Sequence, residues 1–239
     1  MTSRLTALAS LLALPLAACD AQSDGKYNGD ALVTLTGTVE NRTVTAPAGV
    51  DLVVAYMNVA STLFEGNCLL DAQPALDAGE PLDLDCRFQD LAPERVEVTG
   101  QFPAAFQFTL TQAPPASATL PNTYGGRFAA AVILAVKAGS AADGELLLGD
   151  LVGYSQYSLA YIDRAVQSDD ICRQASDGTV SCGPERVEAG FHVAKGLCGG
   201  QTVGPDEICS VLADDEPITV ELTDLETIVQ KSITFRTSS

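Results

Sequence analysis

Polar and apolar residues alternate with a period of two in several short stretches of this chain. Val33, Leu35, Gly37 and Val39 fall on one side, and Thr34, Thr36 and Thr38 on the other. Leu82, Leu84 and Cys86 alternate with Asp83, Asp85 and Arg87, and Val96 and Val98 with Arg95, Glu97 and Thr99. Phe106, Phe108 and Leu110 alternate with Gln107, Thr109 and Thr111, and Ile218, Val220 and Leu222 with Thr219 and Glu221. Ile233 and Phe235 repeat the pattern near the end. Successive side chains of a strand point to opposite faces, so this period predicts strands with one buried face and one wet face. Residues 50–60 and 128–138 are apolar almost without interruption and predict strands covered on both faces.

Turn signals separate these runs: Ala-Pro-Ala-Gly at 46–49, Ala-Pro-Pro-Ala at 113–116, Gly125-Gly126 and Asp143-Gly144. Residues 222–230 (LTDLETIVQ) suit a short helix and a loop equally well. No repeat is visible. Many short strands between turns predict one all-β domain over residues 31–239, an antiparallel β-sandwich.

Residues 164–212 differ from their neighbours in being rich in Gly, Asp and Cys. In ICRQASDGTVSC, Cys172 and Cys182 are symmetric about Asp177, which predicts a hairpin turning at Ser176-Asp177-Gly178. Gly178 can adopt the left-handed conformation such a loop requires. Opposed cysteines would then close the stem. Cys198 and Cys209 bracket a second loop, and Cys68 and Cys86 a third. Nearest-neighbour pairing is one of fifteen arrangements open to six cysteines. Each bridge would contribute roughly 3 kcal/mol by restricting the unfolded chain. The fold expected near the carboxyl end is therefore a disulfide-stapled hairpin and loop region.

The amino terminus adds an address. Arg4 and the amino group supply positive charge, and residues 5–16 an apolar stretch too short for a bilayer, which needs roughly 20 residues. Leu16-Ala17-Ala18-Cys19 resembles the lipobox of exported bacterial lipoproteins. That resemblance covers residues 1–20. It implies a leader at 1–18 that is removed, and a diacylglyceryl group on the Cys19 thiol. It further implies acyl chains such as palmitate holding the protein to a membrane facing the periplasm or cell surface. Stable anchoring needs more than one chain, at about 0.8 kcal/mol per buried CH₂. Asp20 resembles the inner-membrane retention signal of enterobacterial lipoproteins, a rule that varies between lineages, so the leaflet stays open. Residues 19–30 are polar and aperiodic and read as a flexible tether.

Cysteine parity agrees with this address. The chain has seven cysteines, and with Cys19 lipidated the remaining Cys68, Cys86, Cys172, Cys182, Cys198 and Cys209 can all pair. The balance of 13 basic to 31 acidic residues gives a net charge of −18, which repels phosphate backbones and argues against nucleic-acid binding. It also disfavours electrostatic docking on anionic lipid, leaving the lipid anchor to hold the membrane.

Signals for chemistry are sparse. His192 is the single histidine, so zinc sites built from several histidines are excluded. In GFHVAKG, Phe191 and Val193 should point inward, and His192 reads as a satisfied or solvated strand residue, not a catalytic base. There is no GxSxG, CxxC, GxGxxG or P-loop, and no cofactor is expected. Glycosidases need only two carboxylates, but the chain has no Trp to build a sugar platform. Two features read as candidate surfaces: a binding patch of Tyr154, Tyr157 and Tyr161, and acidic turns at Asp169-Asp170 and Asp214-Asp215-Glu216 of the kind that ligate calcium. The leading functional expectation is a non-enzymatic envelope lipoprotein that binds another envelope protein or plays a structural role. The alternatives are a hydrolase with a carboxylate or Ser/Tyr site lacking a linear motif, and a calcium or small-ligand binding module.

Overall fold

The computed structural model describes residues 32–57, 65, 78, 80, 84–121, 126–141, 145–174, 179–196, 210–214 and 216–228. Within these, twelve strands link into one mixed sheet. They are β1 (Val33–Asn41), β2 (Gly49–Tyr56), β3 (Asp90–Thr99), β4 (Ala104–Leu110), β5 (Leu120–Pro121) and β6 (Arg127–Lys137). Then come β7 (Leu151–Ile162), β8 (Val166–Gln174), β9 (Val180–Val187), β10 (Gly190–Gly196), β11 (Ser210–Leu212) and β12 (Ile218–Leu222). The all-β expectation holds.

β7 is the pivot of the sheet. One edge pairs with β6 along most of its length. The other is shared: β12 takes Gly153 to Ser155, and β10 takes Ser158 to Ile162. β12 leads on to β1 and β4, while β10 leads to β11, β8 and β9. β6 leads to β2 and β3. Strands β3 and β4 return alongside one another, so the run β3-β2-β6-β7-β12-β1-β4 comes close to closing into a barrel.

The sheet is not purely antiparallel as expected. β1 runs parallel to β12, and β8 parallel to β11. A parallel pair needs a long crossover. For β1 and β12 that crossover is nearly the whole domain, which local alternation cannot reveal.

The period-two stretches bury one face. Leu35 and Val39 of β1, Phe106, Phe108 and Leu110 of β4, and Ile218, Val220 and Leu222 of β12 join one inner cluster. Each such side chain contributes about 1.5–3 kcal/mol on burial. The continuous run in β2 is buried on both faces. Val50, Leu52, Val54 and Tyr56 enter the inner cluster, while Val53 and Ala55 meet Leu134, Val136, Leu146 and Leu148 outside. A single turn of helix at 225–228 closes over that outer cluster through Ile228. Asp224 starts it, its Oδ1 accepting the Thr227 amide at 2.8 Å, and these bonds from Thr227 hold its carboxyl below the ordinary range.

One expected strand is reduced, among its described residues, to an isolated antiparallel bridge between Arg87 and Leu147. Leu84 and Asp85 form a turn, and Leu84 is 47% exposed. The Leu84 and Cys86 carbonyls accept the Gly149 and Leu148 amides at 3.0 and 2.7 Å, so this segment docks on the short turn Leu148–Asp150. Cys86 is buried and disulfide-bonded. Ile233 and Phe235 also lie beyond them.

β12 fits between its neighbours because both present glycine. A Cβ on Gly37 would strike the Ile218 carbonyl, and one on Gly153 the Glu221 carbonyl. At the other end of the run the seam between β3 and β4 is closed by side chains. Pro93 and a bulge opposite Val54 interrupt β3. Glu94 turns inward there, and its Oε1 accepts the Thr111 amide at 2.8 Å and the Thr111 hydroxyl at 2.5 Å. Ser117 donates to Asp90 Oδ1 at 3.0 Å. The other oxygen of each carboxylate is buried without a hydrogen-bond partner.

Replacing Gly37 or Gly153 with Ala should therefore cost about 1–3 kcal/mol through overpacking. Gly183→Ala, where a Cβ meets nothing within 4 Å, should stay within about 0.5 kcal/mol in the same denaturant titration. A pH effect follows from the core tyrosines. Burial pushes the phenols of Tyr56 and Tyr161 above the ordinary 10.0, with Glu94 and Asp163 adding to the shift. The folded state then keeps protons that the unfolded chain releases, so stability is intact below pH 10.0 and falls as pH rises past it. Urea midpoints should drop between about pH 9 and 11, and Tyr56→Phe should make that drop shallower.

Candidate functional site

The site arises where β7 passes from one partner to the other. Ser155 marks the change. Its buried hydroxyl donates to the Tyr157 carbonyl at 2.5 Å and accepts the Ile133 amide at 3.2 Å, beside a register shift in the β6–β7 ladder. On the far side, β12 begins at Ile218 opposite Gly37, so residues 33–36 of β1 outrun it. Among the described residues, that stretch pairs with β4 alone.

A cleft of about 180 Å³ opens there. Val33, Thr34, Leu35 and Thr36 form one wall, and Phe191 and Val193 of β10 the other. Asp214, Glu216, Pro217 and Ile218 complete the lining. Side chains alternate across a strand, so four consecutive residues border one cleft when it runs along the strand's edge. Such an edge offers backbone N–H and C=O groups to an incoming chain.

The opposite wall is already occupied at its backbone. The Val193 amide donates to Asp214 Oδ1 at 2.8 Å, and the Val193 carbonyl accepts the Ala213 amide at 2.8 Å. Asp214 thus stands in for a strand partner. Its Oδ2 lies 2.9 Å from His192 Nδ1, while His192 Nε2 lies 2.8 Å from the Glu188 carbonyl. A carbonyl can accept but not donate, so Nε2 carries a proton. Nδ1 faces Asp214 Oδ2, so the ring and the carboxyl share one hydrogen bond there. With its side chain 11% exposed, His192 is a clamp between β10 and the turn before β12. Phe191 and Val193 point into the core, as the alternation of GFHVAKG requires. The Tyr157 hydroxyl lies 3.3 Å from Glu216 Oε2, behind the same rim.

The three tyrosines do not make one exposed patch. Tyr161 is 4% exposed and packs against Phe191, with ring centres 4.9 Å apart and planes tilted by 55°. Tyr154 packs on the outer cluster and Tyr157 on the inner one. A bulge at Ser155 and burial by β10 defeat the simple spacing. Of the acidic turns, Asp214 and Glu216 border the cleft. Asp215 and the side chains of Asp169 and Asp170 are outside the described residues. No group of three or more His, Cys, Asp or Glu among the described residues is arranged for a metal ion.

The β8–β9 register sets the Cys172 backbone opposite that of Cys182, as their symmetry about Asp177 requires. Their side chains, and Cys19, Cys68, Cys198 and Cys209, lie outside the described residues, as does the loop Ser176-Asp177-Gly178. No helix among the described residues is long and apolar enough to cross a membrane. The strand-edge cleft escaped the sequence reading, because it depends on where β12 stops.

Comparison with known proteins finds no match: no family model, no curated protein and no solved structure is similar to this chain. What fold and site define is an all-β domain with an acid-rimmed cleft along a strand edge.

Removing the carboxylate that braces the cleft tests the clamp. Asp214→Ala leaves the Val193 amide and His192 Nδ1 without that acceptor, and should cost about 1–3 kcal/mol by thermal or urea denaturation. Hydrogen exchange should rise at Val193 before it rises in β2. Unchanged protection at Val193 would show that the clamp does not hold β10.

Proposed function

We propose that this chain is a bacterial cell-envelope lipoprotein whose β domain binds another envelope protein without catalysing a reaction on it. The leader at 1–18 is removed, and Cys19 carries diacylglyceryl and further acyl chains such as palmitate. Residues 19–30 tether the domain on the periplasmic or outer face of a membrane. The observation that carries the binding reading is the cleft, whose wall is the edge of residues 33–36.

Export and oxidation support one another. An envelope compartment permits disulfides, and removing Cys19 leaves an even number of thiols. Opposed residues on antiparallel strands sit about 4.5–5.5 Å apart at Cα, within the span of a disulfide, which favours a Cys172–Cys182 staple. Cys68–Cys86 and Cys198–Cys209 complete the nearest-neighbour set. We read the rolled sheet as a flattened sandwich whose halves, β3-β2-β6-β7 and β12-β1-β4, face one another across the inner cluster.

Metabolic labelling with an alkyne fatty acid should tag the native protein. Cys19→Ala should abolish the tag and release the domain from the membrane fraction. A tag that persists in that variant would place the lipid elsewhere and overturn the anchor. For the binding reading, a photo-crosslinking residue at Thr34 should give a discrete adduct in intact cells, and one at the exposed Arg95 of β3 should not. Identical adducts from both positions would remove the cleft from the reading.

A further inference from the structure

The chemistry of the cleft narrows its partner. We propose that it takes an extended segment of a partner polypeptide, added as a strand along residues 33–36 of β1, with basic side chains beside Asp214 and Glu216. This deepens the binding reading and rests on it.

Three observations point the same way. The first is the edge itself. β12 stops pairing at Gly37, and the line it would have followed past Thr36 is open to the cleft. A strand laid there would continue the sheet and meet the backbone of β1, the mode by which sheets add peptides.

The second is size. At about 180 Å³ the cleft is smaller than the roughly 300–1,000 Å³ that enclose a drug-sized ligand. It has room for one or two side chains of a peptide whose main chain runs along the rim. Leu35, Phe191 and Val193 give that space an apolar floor.

The third is charge. Among the lining residues the charged ones are Asp214 and Glu216, both acidic, and the whole chain carries −18. Asp214 is held by His192, and Glu216 Oε2 lies 3.3 Å from the Tyr157 hydroxyl, so both carboxylates are fixed at the rim. A Lys or Arg two residues from an inward apolar side chain would share its face of the added strand. A segment alternating basic or apolar residues with small polar ones fits both rim and floor. The surrounding negative field would speed its arrival.

The test uses the full lipoprotein in detergent and fluorescein-labelled eight-residue peptides read by anisotropy. One repeats Lys-Ser-Val-Ser, so that Lys and Val share a face, a second replaces Lys with Glu, and a third keeps Lys but is N-methylated at every second amide. N-methylation removes strand hydrogen bonds and leaves the charge. The Lys peptide should bind saturably and at least tenfold tighter than the Glu peptide. N-methylation, in one of its two registers, should cost tenfold or more. Glu216→Lys, checked for an unchanged circular dichroism spectrum, should reverse the order of the Lys and Glu peptides.

Equal binding of the Lys peptide and both of its N-methylated forms would reduce the contact to charge and overturn strand addition. Equal binding of the Lys and Glu peptides would overturn the basic partner. If no peptide binds while the Thr34 crosslink still forms in cells, the strand proposal fails and the binding reading stands. If the crosslink is absent as well, both fail.

Discussion

The insertion of β12 between β1 and β7 is the constraint on which the rest of the structure depends. It joins the first strand to the central one and so links the two halves of the sheet. The fit leaves no room for a Cβ at Gly37 or Gly153, where carbonyls of β12 approach the neighbouring backbones. Ile218, Val220 and Leu222 then lock the strand from inside, each 1% exposed or less. A strand of five residues flanked by longer ones must leave some of their edges unpaired. The cleft is a consequence of that mismatch in length.

Much of the strand content was legible in the sequence, because period-two alternation reports directly which face is buried. β1, β4 and β12 follow it closely, and the uninterrupted apolar run of β2 correctly signalled cover on both faces. The β8–β9 register was legible too, from the symmetry of Cys172 and Cys182 about Asp177. Residues 84–87 misled, because Leu84 and Asp85 form a turn docked on Leu148–Asp150 and the alternation ends in an isolated bridge from Arg87 to Leu147. Alternation says which face a residue takes and nothing about which strand lies beside it. The parallel pairs, the sharing of β7 and the seam at β3 and β4 were therefore out of reach.

The site was less legible than the fold for the same reason. His192 was readable as a satisfied strand residue, but its partner Asp214 sits 22 positions away, beyond a separate strand. Asp214 and Glu216 looked like a solvated acidic turn or a calcium loop. Their placement at the mouth of a cleft depends on Asp214 bonding the Val193 amide. The tyrosine triplet shows the converse error. Tyr154, Tyr157 and Tyr161 are regularly spaced, yet a bulge held by the Ser155 hydroxyl sends the first two to different clusters.

The edges of this sheet are treated unequally, and the inequality argues for use of the one in the cleft. Exposed strand edges invite pairing with other chains, and proteins blunt them with proline, bulges and inward charges. β3 carries Pro93, a bulge and the inward Glu94, and β9 carries the exposed Pro184. Residues 33–36 carry Val, Thr, Leu and Thr, with no proline and no charge. These are residues that favour strand pairing. What restrains this edge is its setting, recessed against Phe191 and Val193 and rimmed by two carboxylates. Under the proposal, this recess would turn away a flat sheet from a second molecule and admit a single extended chain. Under the proposed strand addition, the guard would be selective where the others are absolute, admitting one strand and preferring a basic one.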